Sequence, residues 1–137
     1  MLLACQFREQ DRILITAPVT LSPEPLILTP RPPLTATGYF NKLCIAVPPG
    51  YEEDTQRWQL RAPDGSLIEF SAVLQARSGA QVELDSLSFT HARTKRYACL
   101  SRRGMDDYGD EQYGQVVLRA TVAIETHEIR WFSTDKG

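Results

Sequence analysis

The sequence predicts an all-β protein, an antiparallel β-sandwich of about eight or nine strands, on three observations. Apolar residues recur with a period of two, the apolar stretches are short and bounded by turn residues, and Asp64-Gly65 separates two alternating runs. Alternation puts successive side chains on opposite faces of a strand, so it marks an element with one face buried. An Asp-Gly pair supplies the positive φ that a tight hairpin turn requires.

Taken in order, Ile13, Ile15 and Ala17 alternate before Pro18, and Leu26 to Leu28 lie between prolines. Pro23, Pro25, Pro30, Pro32 and Pro33 cannot donate ladder hydrogen bonds, which confines this segment to a sheet edge or an extended crossover. A polyproline ligand around Thr29 to Leu34 is the functional alternative. Leu43 to Val47 forms a strand stopped by Pro48-Pro49-Gly50, and Tyr51 to Gln56 is the one stretch that reads as a helical turn. Trp58, Leu60 and Ala62 alternate up to the Asp64-Gly65 turn, and Ile68, Phe70, Ala72 and Leu74 alternate beyond it. Val82 and Leu84, Leu87 and Phe89, and Tyr97 to Leu100 continue the pattern. The longest run spans Val116 to Ile124, and a turn at Thr126-His127-Glu128 leads into Ile129 to Ser133.

The 137 residues suffice for one well-packed domain, placed at 13–137. With 15 Lys+Arg against 17 Asp+Glu the net charge is −2, which gives no reason to expect nucleic acid or an anionic membrane as a partner. No stretch approaches the ~18 apolar residues of a membrane-spanning helix.

Residues able to carry chemistry are sparse. His91 and His127 are isolated and no Gly-x-Ser-x-Gly elbow is present, so neither nucleophilic catalysis nor a zinc site has a sequence signature. The acidic stretch Asp106-Asp107-Tyr108-Gly109-Asp110-Glu111 fails the EF-hand template, with Glu111 where glycine is needed and Val117 where glutamate is needed. No enzyme, metal or cofactor is expected. Charge is instead concentrated locally: Arg93, Lys95 and Arg96 precede the Tyr97 strand, Arg102 and Arg103 follow it, and the acidic stretch with Tyr108 and Tyr113 comes next. Arginine and tyrosine are enriched at binding hot spots, and functional loops project from rigid β scaffolds. The candidate partner-binding residues are therefore Arg102, Arg103, Asp106, Asp107, Tyr108, Asp110, Glu111 and Tyr113. The alternative is a loop whose opposite charges compensate in water.

Leu2-Leu3-Ala4-Cys5 resembles the lipobox of bacterial lipoproteins, in which small and apolar residues lead to a diacylated cysteine. The resemblance implies that Cys5 carries lipid, that residues 1–12 form the N-terminus and tether, and that Cys44 and Cys99 are free to pair. Gln6 is not the aspartate associated with inner-membrane retention, which points to a periplasmic domain on the outer membrane. The stretch from Gln6 to Arg12 would then reach about 25 Å. The alternative is a cytoplasmic protein with three reduced thiols.

The spacing of Cys44, Trp58 and Tyr97-Ala98-Cys99 resembles the immunoglobulin fold. The resemblance covers about residues 40–101 and implies an Ig-like sandwich with extra strands. In it, Cys44–Cys99 is an inter-sheet disulfide, Trp58 is its core cover and Tyr97 is a corner residue bonded to backbone. The alternative for the cysteines is two buried thiols. In size and layout the chain is similar to small proteobacterial periplasmic lipoproteins, some of which are immunity proteins against toxins delivered by type VI secretion. That implies a protein-binding inhibitor without turnover, whose partner is a secreted toxin or hydrolase. The second reading is a structural component or adaptor of an envelope or secretion assembly.

Overall fold

The computed structural model describes residues 9–36, 40–102 and 111–134. Among these residues there are fifteen short strands and no helix, and every strand pair is antiparallel. Numbered in chain order, one five-stranded sheet runs β1 (Glu9–Ile15), β15 (Ile129–Thr134), β5 (Phe40–Ala46), β12 (Lys95–Ser101), β11 (Ser86–Ala92). A second runs β10 (Gln81–Leu84), β9 (Phe70–Ala76), β13 (Gln112–Ala120), β3 (Leu26–Leu28), with β4 (Leu34–Thr35) also paired to β13. Two small sheets complete the set. One pairs β14 (Ile124–Thr126) with β2 (Val19–Leu21), and the other runs β6 (Glu52–Asp54), β7 (Gln59–Arg61), β8 (Leu67–Ile68).

The strand number exceeds expectation because β2, β4 and β6 are further short strands and because two long runs divide. The run through Ile68 and Phe70 breaks at Glu69, so β8 and β9 belong to different sheets, and the run through Ala120 and Ile124 breaks after Ala120. The two breaks face each other. Glu69 N–H donates to Thr121 Oγ1 at 3.0 Å, and Thr121 N–H donates to the Glu69 carbonyl at 2.9 Å. Backbone groups lost to the ladder are thereby satisfied across the gap.

The Asp64-Gly65 turn forms as expected. Gly65 has φ 91°, Asp64 Oδ1 accepts from Ser66 N–H at 2.9 Å, and Ala62 N–H donates to the Ser66 carbonyl at 2.8 Å. The proline-rich stretch supplies β3 and β4, two short edge segments on β13 separated by Thr29 to Pro33.

Both five-stranded sheets feed a single main core. Leu43, Ile45, Leu100, Ile129 and Trp131 come from the first, and Leu74, Leu84, Val116 and Leu118 from the second, with Leu60 and Ile68 from the three-stranded sheet. Trp131 is fully buried, and its indole N–H is satisfied by the Thr35 carbonyl at 3.0 Å.

Cys44 and Cys99 form a disulfide, directly opposite each other on the adjacent strands β5 and β12 with Cα atoms 4.0 Å apart. The bridge therefore lies within one sheet, which corrects the inter-sheet role implied by the immunoglobulin resemblance. Alternation explains its place. Leu43, Ile45 and Leu100 point into the main core, whereas Cys44, Tyr97 and Cys99 form a small separate cluster. Tyr97 is buried, but its hydroxyl donates to Glu128 Oε2 at 3.1 Å rather than to upstream backbone, so it is not a tyrosine corner.

Candidate binding site

The expected helical turn over Tyr51 to Gln56 is instead β6 followed by a turn, and Asp54 is the reason. Its Oδ1 accepts from the backbone N–H groups of Gln56 and Arg57, both at 3.1 Å, which closes a local turn in place of a helix. Oδ2 receives Arg57 at 3.2 Å and Arg61 at 2.8 Å. The backbone bond from Arg57, foremost among these contacts, holds the Asp54 carboxyl below its ordinary range despite some burial. Trp58 ends this turn in a left-handed conformation, φ 54°.

That conformation overturns the expected role of Trp58 as the disulfide's cover. A non-glycine residue at positive φ breaks the alternation that would have set Trp58 beside Leu60 on a core face. Trp58 is 52% exposed and stacks on Phe89 of β11, ring centroids 6.1 Å apart. Leu60 is buried.

Beneath the Trp58 rim lies a cleft of about 480 Å³, within the size range of ligand sites. Its apolar lining is Trp58, Phe70, Leu87 and Leu100, and its polar lining includes Gln59, Glu69, Asp85 and Arg57. Leu100 is a core residue, so the cleft opens toward the interior beside β11. The three-stranded sheet that carries the rim is tied down by polar contacts. His91 Nε2 lies 2.7 Å from Glu53 Oε2, and Arg96 donates to the Tyr51 carbonyl at 2.8 Å. This accounts for His91 as a positioning group at the surface.

A second cluster of charge sits over Tyr97. Glu128 is buried and accepts from Lys95 Nζ at 2.9 Å, Tyr97 Oη at 3.1 Å and Arg130 Nε at 2.7 Å. Arg130 also reaches Asp11 at 3.0 Å and places its guanidinium 5.7 Å from the Tyr97 ring centroid. Burial pushes the Glu128 carboxyl up, but hydrogen bonds from Lys95, Arg130 and Tyr97 outweigh it and hold the group below its ordinary range. Tyr97 is raised by burial and by its bond to Glu128. An acid held ionised by three donors has no proton to give; this cluster works as a clamp.

Of the residues expected at the partner-binding loop, Arg103, Asp106, Asp107, Tyr108 and Asp110 lie outside the described residues, as does Cys5. Tyr113 is fully buried in the main core, which removes it from any contact surface. A register shift between Tyr113 and Gln115 moves it onto the same face as Val116. Glu111 accepts from the Ser78 hydroxyl at 2.8 Å, and Arg102 is exposed at the end of β12. Among the described residues no three His, Cys, Asp or Glu side chains gather as a metal site.

The sequence signal for the cleft was Asp54 three residues before Arg57, an Asx-turn pattern, with the aromatic Trp58 following it. Comparison with protein-family models, curated proteins and solved structures finds no match for the chain.

Proposed function

We propose that the chain is a binding protein that holds another protein without turnover, on a two-sheet β-sandwich scaffold. The observation that carries this reading is Trp58, held half-exposed on Phe89 at the rim of the cleft by a turn that Asp54 caps. Tryptophan dominates binding hot spots when it is presented on a rigid support, because its large apolar area is desolvated at small entropic cost. The charged groups at the rim, Arg57, Glu69 and Asp85, suit the polar border of a protein interface.

In this proposal the domain is an envelope protein tethered through lipid on Cys5, on the outer membrane, and its partner is a secreted toxin or hydrolase that it neutralises. The Cys44–Cys99 bridge supports an oxidising compartment, since cytosolic thiols are kept reduced. The residues Arg102, Arg103, Asp106, Asp107, Tyr108 and Asp110 remain candidates for partner contact in this reading.

The test is titration of the full chain with the exported toxin or hydrolase encoded beside it. Tight binding by the wild type, at least tenfold weakened by Trp58→Ala with Tm retained, supports the proposal. No binding, together with no protection of cells expressing that toxin, rejects it in favour of an assembly adaptor, which would co-purify with several envelope proteins.

A further inference from the structure

We propose that the outer edge of β11 takes an extended peptide segment of another protein as an added strand, with the cleft beneath Trp58 receiving its inward side chains. This rests on the protein-binding reading and names the surface and the kind of partner.

Register identifies the groups on offer. The Cys44 and Cys99 Cα atoms, 4.0 Å apart, form a narrow pair, in which the peptide groups of both residues point away from each other. The bond from Val47 N–H to the Arg96 carbonyl, 2.9 Å, falls where that phase requires. Cys99 therefore directs its N–H and C=O toward β11, where Ser88 is its partner. By alternation, Leu87 and Phe89 direct theirs to the other side, the edge of the sheet. No strand of the described residues pairs there.

The cleft meets that edge. Asp85, Ser86, Leu87 and Ser88 all line it, although Leu87 and its two serine neighbours point to opposite faces. Four consecutive residues share one cleft only where the main chain itself is the wall. Leu87, Phe70 and Trp58 then supply the apolar surface for one inward side chain of an added strand, above the buried Leu100.

Exposed edges invite pairing, and proteins guard them with charge, proline or shortness. The other edges here follow that rule. β1 carries Asp11 and Arg12, β3 is bracketed by Pro25 and Pro30, and β10 has four residues. β11, Ser-Leu-Ser-Phe-Thr-His-Ala, has seven residues with no proline, lysine, arginine or carboxylate. An edge without proline, lysine, arginine or carboxylate, beside a cleft with one apolar side and a polar remainder, suits a peptide that alternates apolar and polar residues, held by main-chain bonds and selected by the pocket.

The probe is a library of random heptapeptides on phage, selected on the full chain, with amide exchange followed on the wild-type complex. Selected peptides should alternate apolar and polar residues. Leu87 and Phe89 amides should exchange fast in the free chain and at least tenfold slower with peptide, while the Ser88 amide is slow in both. Leu87→Pro removes an outward N–H and no ladder bond, so it should bind at least tenfold weaker than Leu87→Ala, which controls for the side chain. Failure to enrich any peptide that needs Trp58, or protection of Leu87 and Phe89 already in the free chain, overturns the proposal. If Leu87→Pro does not fold, the exchange result on the wild type decides alone. Partner binding that needs Trp58 but leaves both amides fast keeps the protein-binding reading and overturns strand addition.

Discussion

On one face of the β5 and β12 pair, Leu43, Ile45 and Leu100 are removed from water by side chains of the second sheet, whereas on the other face Cys44, Tyr97 and Cys99 sit in a separate cluster beneath charge. The first face is held by area, which is non-directional and tolerant of sequence. The second is held by one covalent bond and by an ion cluster whose geometry is specific. A single pair of strands thus carries two kinds of stabilisation, separated by one residue along the chain. Neighbouring substitutions should report on each in turn.

The largest expected effect is at Cys99 and Leu100, adjacent residues on opposite faces. The bridge spans a sequence separation of 55; the chain-entropy model values such a loop at about 4 kcal/mol. Cys44→Ser with Cys99→Ser should lower stability by that amount, and reductant should do the same to the wild type. Leu100→Ala should cost about 2–5 kcal/mol through its cavity, and reductant should destabilise this variant as much as the wild type. Urea titration with and without reductant checks both. A reductant effect that vanishes in Leu100→Ala would mean that the two faces are energetically coupled rather than independent.

The next effect belongs to Glu128. Because its folded pKa lies below the ordinary 4.5, the ionised form stabilises the fold. That contribution is complete above the unfolded carboxylate pKa and is lost as pH falls through the folded value. Lys95 is raised, chiefly by its hydrogen bond to Glu128, so its share is complete below the ordinary lysine pKa and lost as pH rises through the folded one. Tyr97 is raised too, and its share is likewise lost at alkaline pH. Stability should be flat in between and fall at both ends. Glu128→Gln, which leaves Lys95 and Arg130 beside a neutral acceptor, should cost about 1–3 kcal/mol at neutral pH and flatten the acid limb. Thermal melts across pH measure this, and an unchanged acid limb would assign it to other carboxylates.

How much of this the sequence discloses depends on the range of the interaction that decides each element. The Asp64-Gly65 turn was legible because both of its bonds are made within five residues. The two faces of β5 and β12 were legible because alternation needs no partner. The split at Glu69 was not, since it is made by Thr121, distant in the chain. Tyr113 reads as a surface residue beside an acidic stretch, and it is core because an irregular register shifts the phase of β13 next to Gly114. Trp58 reads as core by alternation, and one left-handed residue turns it outward. The immunoglobulin-like spacing located a real bridge but not its place, because sequence separation does not say whether the bridged strands share a sheet.

The smallest effect on stability is expected at Trp58, and there it separates from function. A half-exposed ring stacked on Phe89 contributes about 0.5–1.5 kcal/mol beyond the area it buries, while a bulky residue held in the left-handed region costs about 1–2 kcal/mol. Glycine removes both at once, since it adopts that conformation without strain. Trp58→Gly, which loses the ring's contacts together with the strain, should therefore cost less than Trp58→Ala, which loses the same contacts and keeps most of the strain. A stabilising interaction should show the opposite order. If Trp58→Gly proves more stable than Trp58→Ala in urea titration yet loses peptide binding at least tenfold, the tryptophan is retained at a position whose backbone favours glycine. A Trp58→Gly variant less stable than Trp58→Ala, with peptide binding unchanged, would remove the rim from the proposed interface.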